Sequence, residues 1–170
     1  MEEHNPYRAP ESAVALQAAD TDLAGYGERL AATLIDGVIA MCVTLPAMWF
    51  GGFFKTVMDA AMTGAQPPFT LTLTWAFIGL AIFLAIQGYP LYAQGQTWGK
   101  RALGIRIVAL DGSRVPFASL IARRYLPTHA VALVPFVGNL LVLIDILFIF
   151  RRDRRCVHDL IAGTRVVKAR

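Results

Sequence analysis

The chain has 170 residues, enough for one domain. Apolar residues make up 56% of it and charged residues only 16%, against about 25% charged in a typical soluble domain. The net charge is +4, and 13 of the 16 Lys and Arg residues lie from Lys100 onward. That asymmetry is explained by the positive-inside bias of membrane proteins more simply than by nucleic-acid binding, and no RNP, helix-turn-helix or finger pattern argues otherwise.

Residues 1–24 are polar, with Asn5-Pro6, Pro10 and several acids, and are expected to be largely disordered. Within them Glu11–Ala19 has the pattern of a short helix that would be marginal alone. The acidic start predicts no cleavable signal peptide, leaving the first span as the insertion signal. Residues 25–170 form the predicted membrane domain.

The first apolar run, about residues 30–54, exceeds the roughly 20 residues that cross a hydrocarbon core. Arg29 stands at its mouth and Asp36 lies inside it. Their spacing of seven residues is close to two helical turns, so both point from one face. A carboxylate at that depth costs roughly 2.5–3.5 kcal/mol on insertion scales and needs a partner. A polar connection, Lys55–Phe69, leads to the second span at about residues 71–92. Gln87, Gly88 and Pro90 predict a distorted last turn there.

Beyond it the pattern shifts to short alternation. Ile105, Ile107 and Ala109 share one strand face, and Asp111-Gly112 signals a turn, so a β-hairpin is expected over about residues 104–115. Residues 163–168 read as a further strand able to pair with it. Gly95–Lys100 resembles a phosphate loop but is one residue short, with Arg101 in place of Ser or Thr. A tight interfacial turn anchored by Trp98 is expected instead.

The third apolar region, about residues 117–150, is interrupted by Pro127, Pro135 and Gly138. Arg123-Arg124 precede its core, and Arg151, Arg152, Arg154 and Arg155 follow it. A single crossing would put that last cluster outside, against the positive-inside rule. The favoured reading is a helical hairpin: one helix to about Phe136, a turn at Val137-Gly138-Asn139, and a second helix to Phe150. A single span is the alternative. In the hairpin, Asp36 and Asp145 lie at similar depth, roughly 10 Å in. Arg29, or Arg123-Arg124, would supply the counter-charge.

The fold class is therefore an all-α polytopic membrane protein with two full transmembrane helices, a broken third apolar region and a small cytoplasmic β element. Arg29, Asp36 and Asp145 are the ion or proton site candidates. Arg151, Arg152, Arg154 and Arg155 are candidates for anionic lipid headgroups. His158-Asp159 reads as a pH-sensitive pair or as a turn docking the last strand. Cys42 and Cys156 suggest neither a disulfide framework nor structural zinc. No nucleophile elbow or catalytic triad stands out, so neither an enzyme nor a cofactor is expected.

Several of these stretches together resemble the RDD family of small bacterial membrane proteins. They are Gly27-Glu28-Arg29 with Asp36, Gly95–Arg101 with Gly104–Val108, and Arg155–Thr164, which includes His158 and Asp159. The resemblance spans about Gly25 to Lys168, and Lys100, Arg101, His158 and Asp159 are among its motif residues. The family is named for one arginine and two aspartates. Arg29 and Asp36 match the first two, and the second aspartate falls at Asp159 or Asp145. The connection between the two spans has only Lys55, so by the positive-inside rule it is external, and the amino terminus and, in the hairpin, the carboxyl terminus are cytoplasmic. The resemblance implies a multi-pass protein of the bacterial inner membrane. It also implies passage of an ion or small solute, of a sodium–proton exchange type, and too few helices per chain to enclose a path imply a homo-oligomer. The alternative is a scaffold that binds another membrane protein or anionic lipid.

Overall fold

A computed structural model describes residues 23–131, 133, 137–151 and 153–169. The expectations for residues 1–22, and those resting on Arg152, lie outside the described residues.

Helix α1, Tyr26–Phe50, begins where Glu28 accepts a hydrogen bond from the Gly25 N–H at 2.7 Å. This closes one of the open donors at a helix start. It ends at Gly51, earlier than the expected residue 54. A Cβ on Gly51 would lie 2.7 Å from the Trp75 ring, and Gly52 turns the chain with φ 76°. Phe53 and Phe54 therefore open a separate helix, α2 (Phe53–Met62), which runs into the stretch expected to be a polar connection. Helix α3, Phe69–Gln94, runs through Pro90 to an αL cap at Gly95, so it reaches past the expected end at residue 92. Among the described residues, helices α1 and α3 are the two long enough and apolar enough to cross a bilayer. Leu30, Leu34, Val38 and Met41 on α1, and Phe69 and Phe77 on α3, are exposed. Such outward apolar rows suit a lipid solvent rather than water.

Thr97 caps the short helix α4, Trp98–Ala102. Strand β1, Ile105–Ala109, follows. It pairs antiparallel with β2, Thr164–Lys168, with Ile107 opposite Val166. The expected hairpin over residues 104–115 does not form. Its turn is present, with Ala109 N–H on the Ser113 carbonyl at 2.9 Å and Gly112 at φ 85°, but no second strand continues from it. The distant segment at 164–168 takes the partner's place. Leu23 bridges Val167, and the wholly buried Ala24 donates to the Val166 carbonyl at 3.1 Å. Leu23 and Ala24, just before the expected membrane domain, thus pack against β2.

The third apolar region is a chain of short pieces. Helix α5 (Phe117–Leu120) widens into a π-turn (Ile121–Tyr125) and resumes as α6 (Leu126–Val131). Helix α7 (Val137–Leu147) and a 3₁₀ turn (Phe148–Phe150) follow. Val137, Gly138 and Asn139 are the first turn of α7, not the reversal expected there. Helix α8, Val157–Ala162, leads through Gly163 (φ 64°) into β2. Ala24, Ala32, Leu91, Ile105, Ile107, Leu120 and Val166 form the core. It gathers the start of α1, the end of α3, the sheet and α5 at one end of the long helices.

Candidate functional site: two carboxylates and a charged cavity

Asp159 lies in the first turn of α8 and is wholly buried. Arg29 from α1 and Arg124 from the π-turn both donate to its carboxylate. Arg124 also donates to Thr164 Oγ1 at 2.6 Å, and Thr164 to Asp159 at 3.0 Å. A π-turn shifts the side-chain register of a helix and recurs at functional positions; here Arg124 is buried while Arg123 stays exposed. Burial alone would raise the Asp159 carboxyl, but Arg124, His158 and Arg29 outweigh it and hold it well below the usual carboxylate range.

Asp36 has other partners. Gln87 Nε2 donates to it at 2.9 Å and the Gly99 N–H at 2.7 Å, and Thr97 Oγ1 also donates. The Lys100 ammonium stands 4.0 Å away. Arg29, or Arg123-Arg124, is the counter-charge expected for Asp36, but the structure commits Arg29 to Asp159 and to the Arg154 carbonyl, commits Arg124 to Asp159 as well, and leaves Arg123 exposed. The reason is reach. The loop after α3 lies against α1 so closely that a Cβ on Gly99 would sit 2.1 Å from the Ala32 carbonyl oxygen. Its donors therefore meet Asp36 directly. The stretch that resembled a phosphate loop uses its N–H and hydroxyl groups on an internal carboxylate. Trp98 Nε1 donates to the Ile86 carbonyl at 2.7 Å, tying the same loop to α3. Burial, reinforced by Arg124, pushes the Lys100 amine down to about 8, with Asp36 opposing.

Asp145 on α7 pairs with His158, accepting from its backbone N–H at 2.9 Å and meeting Nδ1 at 2.6 Å. Burial and Arg124 lower the His158 imidazole, against Asp145. Arg124 and Asp145 thus reach the neighbouring residues Asp159 and His158. A straight helix from 124 to 145 would separate them by about 31 Å; the third region therefore returns to where it began.

A cavity of about 310 Å³ lies among these groups. Arg29, Asp36, Lys100, Arg124, Asp145 and His158 all face it, together with apolar Phe83, Ile86 and Ile149. The Tyr125 hydroxyl, on the same wall, is buried with no hydrogen-bond partner among the described residues.

The lipid-headgroup candidates divide. Arg155 is turned inward, donating to the carbonyls of Thr164 (3.0 Å) and Asp159 (3.2 Å). Arg154 stacks its guanidinium over Tyr26 at 4.7 Å. Arg151 is exposed beside Asp153 at 3.3 Å. Arg101 is exposed, 5.4 Å over the Trp98 ring. Sequence reasoning offered Arg124 as a counter-charge but not its pairing with Asp159, and gave Gln87 and Thr97 no part in the site. Gln87 offered a signal, since a polar side chain within an apolar helix needs a partner.

The sequence model of the RDD family matches residues 23–163. The chain belongs to the RDD family. It is 34% identical over 146 residues to the uncharacterized protein YckC of Bacillus subtilis (strain 168), covering 86% of this chain and 85% of that one. An uncharacterized protein of Haemophilus influenzae (strain ATCC 51907 / DSM 11121 / KW20 / Rd) is 33% identical over 92 residues, 54% of this chain and 56% of its own. No solved structure matches. In this RDD chain the arginine at the mouth of α1 and the aspartate of α8 form one ion cluster, while the aspartate inside α1 belongs to a second.

Proposed function

We propose that this RDD protein passes a proton or small cation across the bacterial inner membrane, with Asp36 as the exchanging carboxylate and Lys100 as its internal counter-ion. The carrying observation is the cavity between the two long apolar helices and the third region, walled by Asp36, Lys100, Asp145 and His158. Its balance of charges lets a cation enter beside Asp36 as Lys100 releases a proton or swings away. The Tyr125 hydroxyl, without a partner among the described residues, supports a polar occupant, because buried hydroxyls rarely go unsatisfied. One chain has two long apolar helices and a broken third region, so a homo-oligomer completes the path.

The topology that goes with this has both ends of the domain in the cytoplasm and the third region as a re-entrant hairpin. The bridge from Leu23 to Val167 supports it, since the residues before α1 and those of β2 must share one side. A thiol probe should label Arg106→Cys, exposed on β1, from the cytoplasmic face only; labelling from outside overturns the topology.

The exchange reading is tested in proteoliposomes. Sodium-dependent proton movement is expected from the wild-type chain and its loss from folded Asp36→Asn. Absent movement in the wild type, or unchanged movement in the variant, overturns it. A scaffold reading keeps one observation in its favour: Arg101, Arg106, Arg123 and Arg151 are all exposed. Retention on anionic vesicles that falls when these four are neutralised, together with no flux, would favour it.

A further inference from the structure

Beside the Asp159 cluster, three different ligand atoms meet in one corner of the cavity. The Cys156 sulfur, a ring nitrogen of His158 and a carboxylate oxygen of Asp145 lie within 4.8 Å of one another. All three residues line the cavity. Cys156 is a free thiol, buried at the cap of α8, and its N–H donates to Asp159 at 3.3 Å. His158 follows two residues later, its own N–H fixed by Asp145 at 2.9 Å. The start of one helix thus fixes the Cys-x-His pair, and the carboxylate arrives from α7.

We propose that Asp145, Cys156 and His158 bind a zinc-like divalent transition-metal ion whose fourth position opens to the cavity. The ligand set chooses the class of ion. A thiolate, an imidazole and one carboxylate suit Zn²⁺ or Co²⁺, whereas Mg²⁺ and Ca²⁺ take oxygen ligands. Ligands about 2.0–2.3 Å from a tetrahedral ion stand roughly 3.3–3.8 Å apart, so modest side-chain rotations complete the site. The ion displaces the 2.6 Å contact between His158 Nδ1 and Asp145 and bonds both groups. Cys156 gives its thiol proton to solvent and binds as thiolate. His158 supplies a ring lone pair, and Asp145 a carboxylate oxygen. The ion entering and the thiol proton leaving add one positive charge, and with the thiolate and the carboxylate bound the ion and its three ligands are together neutral. Three protein ligands and an open position are the arrangement of an exchangeable or reactive site, not of a closed structural one. The site stands whether or not the cavity passes a solute.

The test uses the full chain in detergent with Cys42→Ser, which removes the other thiol. One Zn²⁺ per chain is expected by equilibrium dialysis. Co²⁺ should give a thiolate-to-cobalt charge-transfer band that Cys156→Ser removes. Asp145→Asn and His158→Gln should each weaken Zn²⁺ binding at least about tenfold. With all three ligands intact, Zn²⁺ should slow maleimide alkylation of Cys156 at least about tenfold, a readout that needs no ligand variant to fold. No retained Zn²⁺, Co²⁺ bound without the thiolate band, or an alkylation rate indifferent to Zn²⁺ would overturn the assignment.

Discussion

Asp159 and Asp36 are both carboxylates within an apolar chain, yet they are held in different ways. Asp159 has two guanidinium groups and no exposed surface. Asp36 has three neutral donors, an ammonium at 4.0 Å, and a side chain still 18% exposed toward the cavity. An ion pair sealed on both sides cannot exchange its charge without leaving a buried cation uncompensated, whereas neutral donors can let a carboxylate change its state at modest cost. The first cluster is suited to holding the fold together, and the second to a changing occupant.

Substitutions should separate the two. Asp159→Asn leaves Arg29 and Arg124 buried around a neutral group and should cost about 3–5 kcal/mol, read as loss of folded monodisperse protein or a large drop in Tm in detergent. Equal stability would refute the clamp. Gly99→Ala forces a methyl against the Ala32 carbonyl and should cost about 1–3 kcal/mol or more by the same measurement, because neither backbone can easily withdraw. Asp36→Asn keeps an acceptor for the loop and should cost only about 1–2 kcal/mol, so it should fold while losing exchange.

Acid sharpens the same contrast. The folded Asp159 carboxyl titrates below its unfolded value of 3.8, so its stabilisation is present above about pH 4 and is lost as the pH falls further. A slope of up to about 1.4 kcal/mol per pH unit is expected there for this one proton, measured by unfolding between pH 5 and 2, and Asp159→Asn should flatten it. At the small end, Arg151→Ala should move stability by less than about 0.5 kcal/mol, since its pair with Asp153 is exposed.

The two long helices were legible because a run of apolar side chains long enough to cross lipid has few other uses. The strands at 105–109 and 164–168 were legible from alternation, but their pairing was not fully so. Asp111-Gly112 favours a local hairpin, and only the burial of Ile105, Ile107 and Val166 against the helix ends shows why the distant strand takes its place. Helix spacing gave the shared face of Arg29 and Asp36 but not their partners. Partners depend on how closely a loop can approach, and here that distance is set by the missing side chain of Gly99. The gathering of Asp145, Cys156 and His158 was likewise invisible, because it depends on the third region turning back.

The bond between Arg29 and Asp159 joins residues 130 positions apart. During synthesis the cation enters the bilayer region with the first helix, long before its acid has been made. Until then it must be kept company by water, lipid phosphate or the insertion machinery, and Arg124 joins it in the same wait. Both cations are therefore made before the acid that pairs them, and the clamp can close only once position 159 has been added.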